Sequence, residues 1–253
     1  MSDNQEPGGE AVVIAPRRGR REASIPCRVV MSFVRQDYQY LCRLAGTPGK
    51  IREFADCPYR EGVWDGQALT IVGPAPGAPY AVLVMEKMIA LGAQAILGLG
   101  WCGSLQADLK IGDLVLPEAA HSEEGTSQHY PVGEPNPGPD PLLTKLLRQQ
   151  LHRRGYDFCT GKVWTTDAFY RETVHKVKSY GAQGILAVEM EMSALFTVGQ
   201  FRGVAVAGLL IVSDELANLT WRHGFGQARL HQARQQAAQI ALDTLAAWEG
   251  DHD

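Results

Sequence analysis

One apolar run constrains this chain more than any other feature. Val204-Ala205-Val206-Ala207-Gly208-Leu209-Leu210-Ile211-Val212 ends abruptly in Ser213-Asp214-Glu215. Such a run reads as a strand buried on both faces, the kind found in an α/β sheet. Polar residues at the C-terminal end of such a strand lie where ligands bind. Just upstream, Leu186-Ala187-Val188 reads as another buried strand end. From Met192, Leu195, Phe196 and Gly199 recur at helical spacing. Glu189 and Glu191 therefore fall at or just before a helix N-terminus, where the dipole favours carboxylates. That role accounts for one acid. Two acids around Met190, beside an apolar strand end, need partners to offset their desolvation. A third segment precedes both: Thr165-Thr166-Asp167-Ala168-Phe169-Tyr170-Arg171-Glu172.

The chain has 253 residues, enough for one sizeable core. Its net charge of −4 gives no global basic surface for nucleic acid. No apolar run reaches transmembrane length, and the polar N-terminus lacks an apolar signal region. Cys27, Cys42, Cys57, Cys102 and Cys159 include no C-x-x-C pair. That pattern favours free thiols in a reducing cytoplasm over a disulfide frame or a metal site. Residues 1–24 read as a flexible N-terminal arm with a basic cluster, Arg17, Arg18, Arg20 and Arg21. Within it, Val12 to Ile14 could form one short strand. Residues 25–253 read as a single domain.

Arg28 to Phe33 reads as the first core strand, followed by Val34-Arg35-Gln36-Asp37 and a helix from Tyr38 to Leu44. A turn at Gly66 leads into a strand from Ala68 to Val72. The proline-rich Gly73 to Pro79 segment precedes a helix from Tyr80 to Leu91, which Gly92 stops. Ala95 to Leu99 reads as a strand entering a glycine loop, Gly98-Leu99-Gly100-Trp101-Cys102-Gly103. This fits G-x-G-x-x-G, but a dinucleotide fingerprint opens a long helix, and Leu105 to Lys110 is short. A strand Leu114 to Pro117 comes next, then a polar loop from His121 to Tyr130 and a proline- and glycine-rich excursion, Pro131 to Pro141. Leu142 to Arg154 reads as an amphipathic helix and Phe158 to Val163 as a strand. Leu219 to Gly226 reads as a mobile segment. Gln227 to Trp248 reads as a terminal helix that closes the core.

Glu189-Met190-Glu191 with Ser193-Ala194, Asp167-Ala168-Phe169-Tyr170 upstream and Val212-Ser213-Asp214 downstream resemble the nucleoside phosphorylase and nucleosidase superfamily. This superfamily includes purine nucleoside phosphorylases, uridine phosphorylases and methylthioadenosine nucleosidases. The resemblance runs over about Cys27 to Leu245. It implies a three-layer α/β/α sandwich with a mixed, partly barrel-like sheet. It also implies a homo-oligomer, dimer or hexamer, acting on a small-molecule nucleoside. No cofactor or metal is implied, and inorganic phosphate is a possible co-substrate.

The resemblance also implies roles for particular residues. Glu191 would accept the ribose hydroxyls, with Met190 against the sugar. Asp214 would be the general acid toward purine N7, and Phe169 would stack on the base. Uridine phosphorylases have no acid at the position of Asp214, so a purine is favoured over a pyrimidine. Arg171 could contact the base edge or form a salt bridge, and Gly100, Trp101 and Cys102 would border the pocket. Arg52 and Arg60 are both candidates for a phosphate-binding arginine shared between subunits.

The chain departs from the family where phosphate binds. The turn after the first strand has no glycine, Gly98 stands where an arginine is expected, and Trp101 stands where a small hydroxyl is expected. Three outcomes stay open. Phosphate would yield ribose 1-phosphate. Water, activated by Asp37 or Glu189, would make a nucleosidase. A chain plugged by Trp101 would bind a nucleoside without turnover.

Overall fold

The structure is a computed structural model that describes residues 11–132 and 136–250. Residues 1–10 of the arm and 133–135 of the proline-rich excursion lie outside the described residues. Among the described residues, ten strands and six α-helices follow one another along the chain. They are β1 (Arg28–Ser32), α1 (Arg35–Leu44), β2 (Arg52–Phe54), β3 (Cys57–Trp64), β4 (Gln67–Val72), α2 (Ala78–Leu91), β5 (Ala95–Ser104) and β6 (Leu114–Ser122). There follow α3 (Pro141–Arg153), β7 (Phe158–Thr165), α4 (Val174–Ala182), β8 (Ala187–Glu189), α5 (Met192–Arg202), β9 (Ala205–Glu215), β10 (Arg222–His223) and α6 (Ala228–Ala246).

The strands form one mixed sheet in the order β10-β9-β6-β7-β8-β5-β1-β4-β3-β2, and β9 also pairs with β5. That extra pairing closes β5, β9, β6, β7 and β8 into a five-stranded barrel, with β1 to β4 running off one side. β5 and β9 are parallel and paired along their whole length, from Ala95–Ala205 to Ser104–Glu215. They are the apolar spine that the sequence announced.

Helices cover both faces. α2 and α5 pack with the inward side chains of one core, around Met88, Leu195 and Phe196. α1, α3 and α6 pack on the other face, around Leu41, Leu147 and Ile240. Each fully buried Leu or Phe contributes roughly 1.5–3 kcal/mol. α5 is buried from Met192 through Gly199, so it shows no amphipathic stripe. Gly203 ends it in the left-handed region, at φ 65.

Several expectations are corrected. The glycine run from Gly98 to Gly103 is not a loop; β5 continues through it to Ser104. Gly100 leaves room for the Phe33 ring: a Cβ there would come 2.6 Å from Phe33 Cδ2. Likewise β6 runs on to Ser122, so His121 ends a strand. The hairpin β2–β3 and helix α4 were not anticipated, and α1 begins at Arg35 rather than Tyr38. Val12 to Ile14 form no strand, and Val13 and Ile14 are exposed. Part of the arm lies along α2, where Lys87 Nζ donates to Arg17 O at 2.8 Å and to Glu22 Oε2 at 2.5 Å.

Candidate active site

The C-terminal ends of β5 and β9 lie side by side and meet the short strand β8, which runs antiparallel to β5. Gly103 pairs with Val188 on one side and with Asp214 on the other. A bulge between Cys102 and Gly103 shifts the register there. It brings Asp214 Oδ2 to 2.9 Å from where a Gly103 Cβ would stand, so only glycine leaves room for this carboxylate. Cys102 is buried beneath, and burial together with the charges of Asp214 and Glu189 pushes its thiol well above the usual range.

The two glutamates of Glu189-Met190-Glu191 have different jobs. Glu189 accepts from the Thr165 hydroxyl and from the backbone N–H of Glu191 and of Met192, each at 2.7 Å. It thereby caps the first amides of α5, which would otherwise lack partners. This is a positioning role, and it holds Glu191 in place. Glu191 reaches across to the turn before α2, where Gly77 N–H donates to its Oε1 at 2.6 Å. Gly77 takes φ 83, a conformation a side chain would strain. Burial, then the charge of Glu189, pushes the Glu191 carboxyl above the usual range. Between them Met190 is half-buried.

Asp214 is 5% exposed and accepts from Ser213 Oγ at 2.6 Å and from Trp221 Nε1 at 3.0 Å. Burial pushes its carboxyl up, against the pull of those two donors. Trp221 also lies edge-on to Phe169, with ring centroids 6.1 Å apart. Phe169 opens a single 3-10 turn, Phe169–Arg171, that follows β7. The base-stacking ring and the acid proposed from sequence are thus joined through one indole. Glu172 closes that turn, its N–H donating to Phe169 O at 3.3 Å, and its carboxyl is pushed up to about 8 by burial and by the charge of Asp214. Arg171 is exposed on the same turn, and Asp167 is occupied structurally, accepting from Gly125 N–H at 2.9 Å.

The remaining candidates sit elsewhere or are engaged. Asp37 is 1% exposed and accepts from Trp101 Nε1 at 2.8 Å and from Arg234 Nε at 2.6 Å. Arg234 lies over the Trp101 ring at 5.2 Å, and Phe225 stacks on Trp101 at 5.9 Å. Asp37, Trp101 and Arg234 therefore form a closed cluster tying α1, β5 and α6 together. Gly98 and Gly100 face the Phe33 ring rather than open space. Arg52 is paired with Glu61 at 2.6 Å on its own hairpin, and Arg60 reaches Thr47 O at 3.5 Å. Among the described residues, no group of three His, Cys, Asp or Glu side chains could hold a metal ion. Among them too, no helix is long and apolar enough to cross a membrane.

Glu172 and Gly77 were not singled out from sequence, and Trp221 was noted only as part of the Leu219 to Gly226 segment. Glu172 stands inside the Asp167 to Glu172 segment, three residues after Phe169, and that spacing was its one signal. Gly77 carried none, because it acts on a residue several elements away.

A five-stranded barrel with buried carboxylates at its mouth defines an α/β fold shared with solved nucleoside phosphorylases. Uridine phosphorylase from Vibrio fischeri ES114 superposes with a TM-score of 0.81 over 91% of this chain and 100% of that one, at 24% identity, a likeness of fold. Purine nucleoside phosphorylase from Toxoplasma gondii, in complex with immucillin-H, gives 0.78 at 25% identity, over 94% and 97% of the two chains. Residues 28–246 match the phosphorylase superfamily, and the chain belongs to that family. In sequence it is similar to guanosine phosphorylase of Halorubrum lacusprofundi, 30% identical over 71% of this chain and 80% of that protein. It is 31% identical to the DeoD-type purine nucleoside phosphorylase of Bacillus cytotoxicus over 61% of this chain and 67% of that one.

Proposed function

We propose that this chain cleaves the N-glycosidic bond of a purine nucleoside with phosphate as acceptor, releasing the free base and ribose 1-phosphate. The observation that carries the reading is a buried acid, Asp214, linked through Trp221 to the Phe169 ring. As the C1′–N9 bond breaks, its electron pair moves into the base. Asp214, raised by burial, gives a proton to N7 and neutralises that charge. Phe169 holds the base flat. Glu191, fixed by Gly77 and by the cap that Glu189 provides, takes the ribose hydroxyls, and Met190 packs on the sugar. An oxygen of phosphate attacks C1′. The guanosine and purine nucleoside phosphorylases among its relatives favour both the purine and the phosphate.

Hydrolysis is the second reading, and one observation favours it. The ring of Phe33 lies against Gly98, where the resemblance places a phosphate-binding arginine. Against it, Asp37 and Glu189 already accept two and three donors, which leaves neither well placed to activate water.

The chain is read as a homo-oligomer, dimer or hexamer, working in the cytoplasm. A groove of about 1360 Å³ lined by Phe54, Val82, Leu83 and Phe201 supports a covered surface there. Light scattering on the purified chain tests the assembly. The reaction is tested by product analysis on inosine, guanosine, adenosine, methylthioadenosine and uridine, with and without phosphate. Ribose 1-phosphate formed only with phosphate supports phosphorolysis. Free ribose without phosphate supports hydrolysis. Cleavage of uridine alone overturns the purine assignment.

A further inference from the structure

Asp214 can give up a proton more easily than it can regain one. It is 5% exposed, and both of its oxygens are engaged, Oδ1 by the Ser213 hydroxyl at 2.6 Å and Oδ2 by the Trp221 indole at 3.0 Å. Once its proton has passed to the base, those two donors stabilise the carboxylate. Neither a serine hydroxyl nor an indole gives up its own proton near neutral pH. Another group must return one before the next turnover.

The sheet places such a group opposite Asp214. β10 pairs with β9 so that Arg222 faces Glu215 and His223 faces Asp214. Gly224 N–H donates to Ser213 O at 2.8 Å, which makes His223 and Asp214 the pair that exchanges no backbone bonds of its own. In a directly opposed pair the Cβ atoms stand about 4.5–5.5 Å apart on one face of the sheet, and closest where no bonds are exchanged. The neighbouring pair meets as well, with Arg222 Nη1 3.5 Å from Glu215 Oε2. His223 is exposed, and two aromatic rings hold its imidazole. It stacks on Phe225 with centroids 5.0 Å apart and lies tilted against Trp221 at 5.3 Å. The imidazole is therefore open to solvent and packed on the indole that donates to Asp214. The other ionisable groups whose charge Asp214 affects are Cys102 of β5 and Glu172 after β7, and neither carries a positive charge.

We propose that His223 returns the proton to Asp214 after each turnover. This rests on the function proposed above, with Asp214 as the acid toward the base. The imidazolium gives one proton to the carboxylate, and the neutral imidazole then takes one from water. The attacking phosphate sheds one proton to solvent as its oxygen bonds to C1′. The base leaves with one proton gained and the phosphate with one lost, so the cycle balances. His223 acts through Asp214 and does not touch the substrate.

The test follows hypoxanthine release from inosine by the full-length chain, phosphate present, in wild type, His223→Ala and His223→Phe. Thermal melts check folding, and rapid quench times the first turnover and the later ones. In His223→Ala the first turnover uses the proton already on Asp214 and should keep the wild-type rate. Later turnovers should slow about 10²-fold, which gives a burst of about one hypoxanthine per site. Added imidazole should restore them. His223→Phe keeps a ring against Phe225 and Trp221 but has no proton to give, so its later turnovers should stay slow. Wild-type turnover in either variant, a first turnover slowed as much as the later ones, or an Ala variant that imidazole does not restore would overturn this inference and leave the function standing. If no purine nucleoside is cleaved, the function fails, and proton NMR of the His223 ring decides whether the pair shares a proton. Its titration midpoint should fall in Asp214→Asn, where the facing carboxylate is gone. A lowered midpoint would sustain proton exchange between the two, and an unchanged one would overturn it.

Discussion

The indole N–H of Trp221 sits 3.0 Å from Asp214 Oδ2, folded back from the loop that follows β9. A donor to a carboxylate stabilises its charged form and lowers its pKa. An acid that must carry a proton is therefore held down by its own neighbour, and burial works the other way. Removing the indole donor shifts Asp214 upward. In Trp221→Phe the high-pH limb of kcat, where the acid loses its proton, should move to higher pH. A pH–rate profile on inosine checks this. A limb that stays put or moves down would mean that Trp221 does not act on the titrating acid.

Glu191 should separate ribose from deoxyribose. A charged hydrogen bond contributes about 1.5–3 kcal/mol, so losing the bonds to the ribose hydroxyls should cost about 10²-fold in kcat/KM. Glu191→Ala should lose that much on inosine and less on 2′-deoxyinosine, narrowing the gap between them. Steady-state kinetics on the pair of substrates reads it directly.

Asp37 should matter for stability before catalysis. Its carboxylate is paired with Arg234, and the two side chains are 2% and 12% exposed. Asp37→Ala leaves a buried guanidinium and the Trp101 N–H unpaired, a loss of about 3–5 kcal/mol. Urea unfolding should show that loss, while turnover per folded molecule stays within severalfold. A variant that is fully stable but cleaves nothing would instead make Asp37 the base that activates water.

Gly100 should tolerate no side chain. In Gly100→Ala the new methyl must displace the Phe33 ring, which is 6% exposed and cannot swing to solvent. Overpacking of this kind costs about 1–3 kcal/mol. A lowered Tm is expected, and an unchanged Tm would show that Phe33 moves aside easily.

How much of this was legible beforehand varied with the range of the interaction. The apolar run into Asp214 and the strand-to-helix step at Glu189 were readable because burial on both faces and helical period are local patterns. The hairpin of β2 and β3 was not, since polar residues alternate through it and its turn uses Ala55 and Asp56 at positive φ without a glycine. α4 was missed because Val177 is its one buried residue, too little for a period to show. The Gly98 to Gly103 run looked like a loop by composition. It is strand because Phe33, sixty-odd residues earlier, fills the space that side chains would need.

The sequence by itself determined the α/β class, the buried spine of β9, and the order of Phe169, Glu191 and Asp214 along the chain. Tertiary structure alone decided what each acid does. Glu189 became a cap, and Asp37 one half of a buried ion pair. The reason is physical. A carboxyl's role is set by the donors and charges within a few ångströms of it, and here those come from segments far apart in sequence, brought together only when the barrel closes.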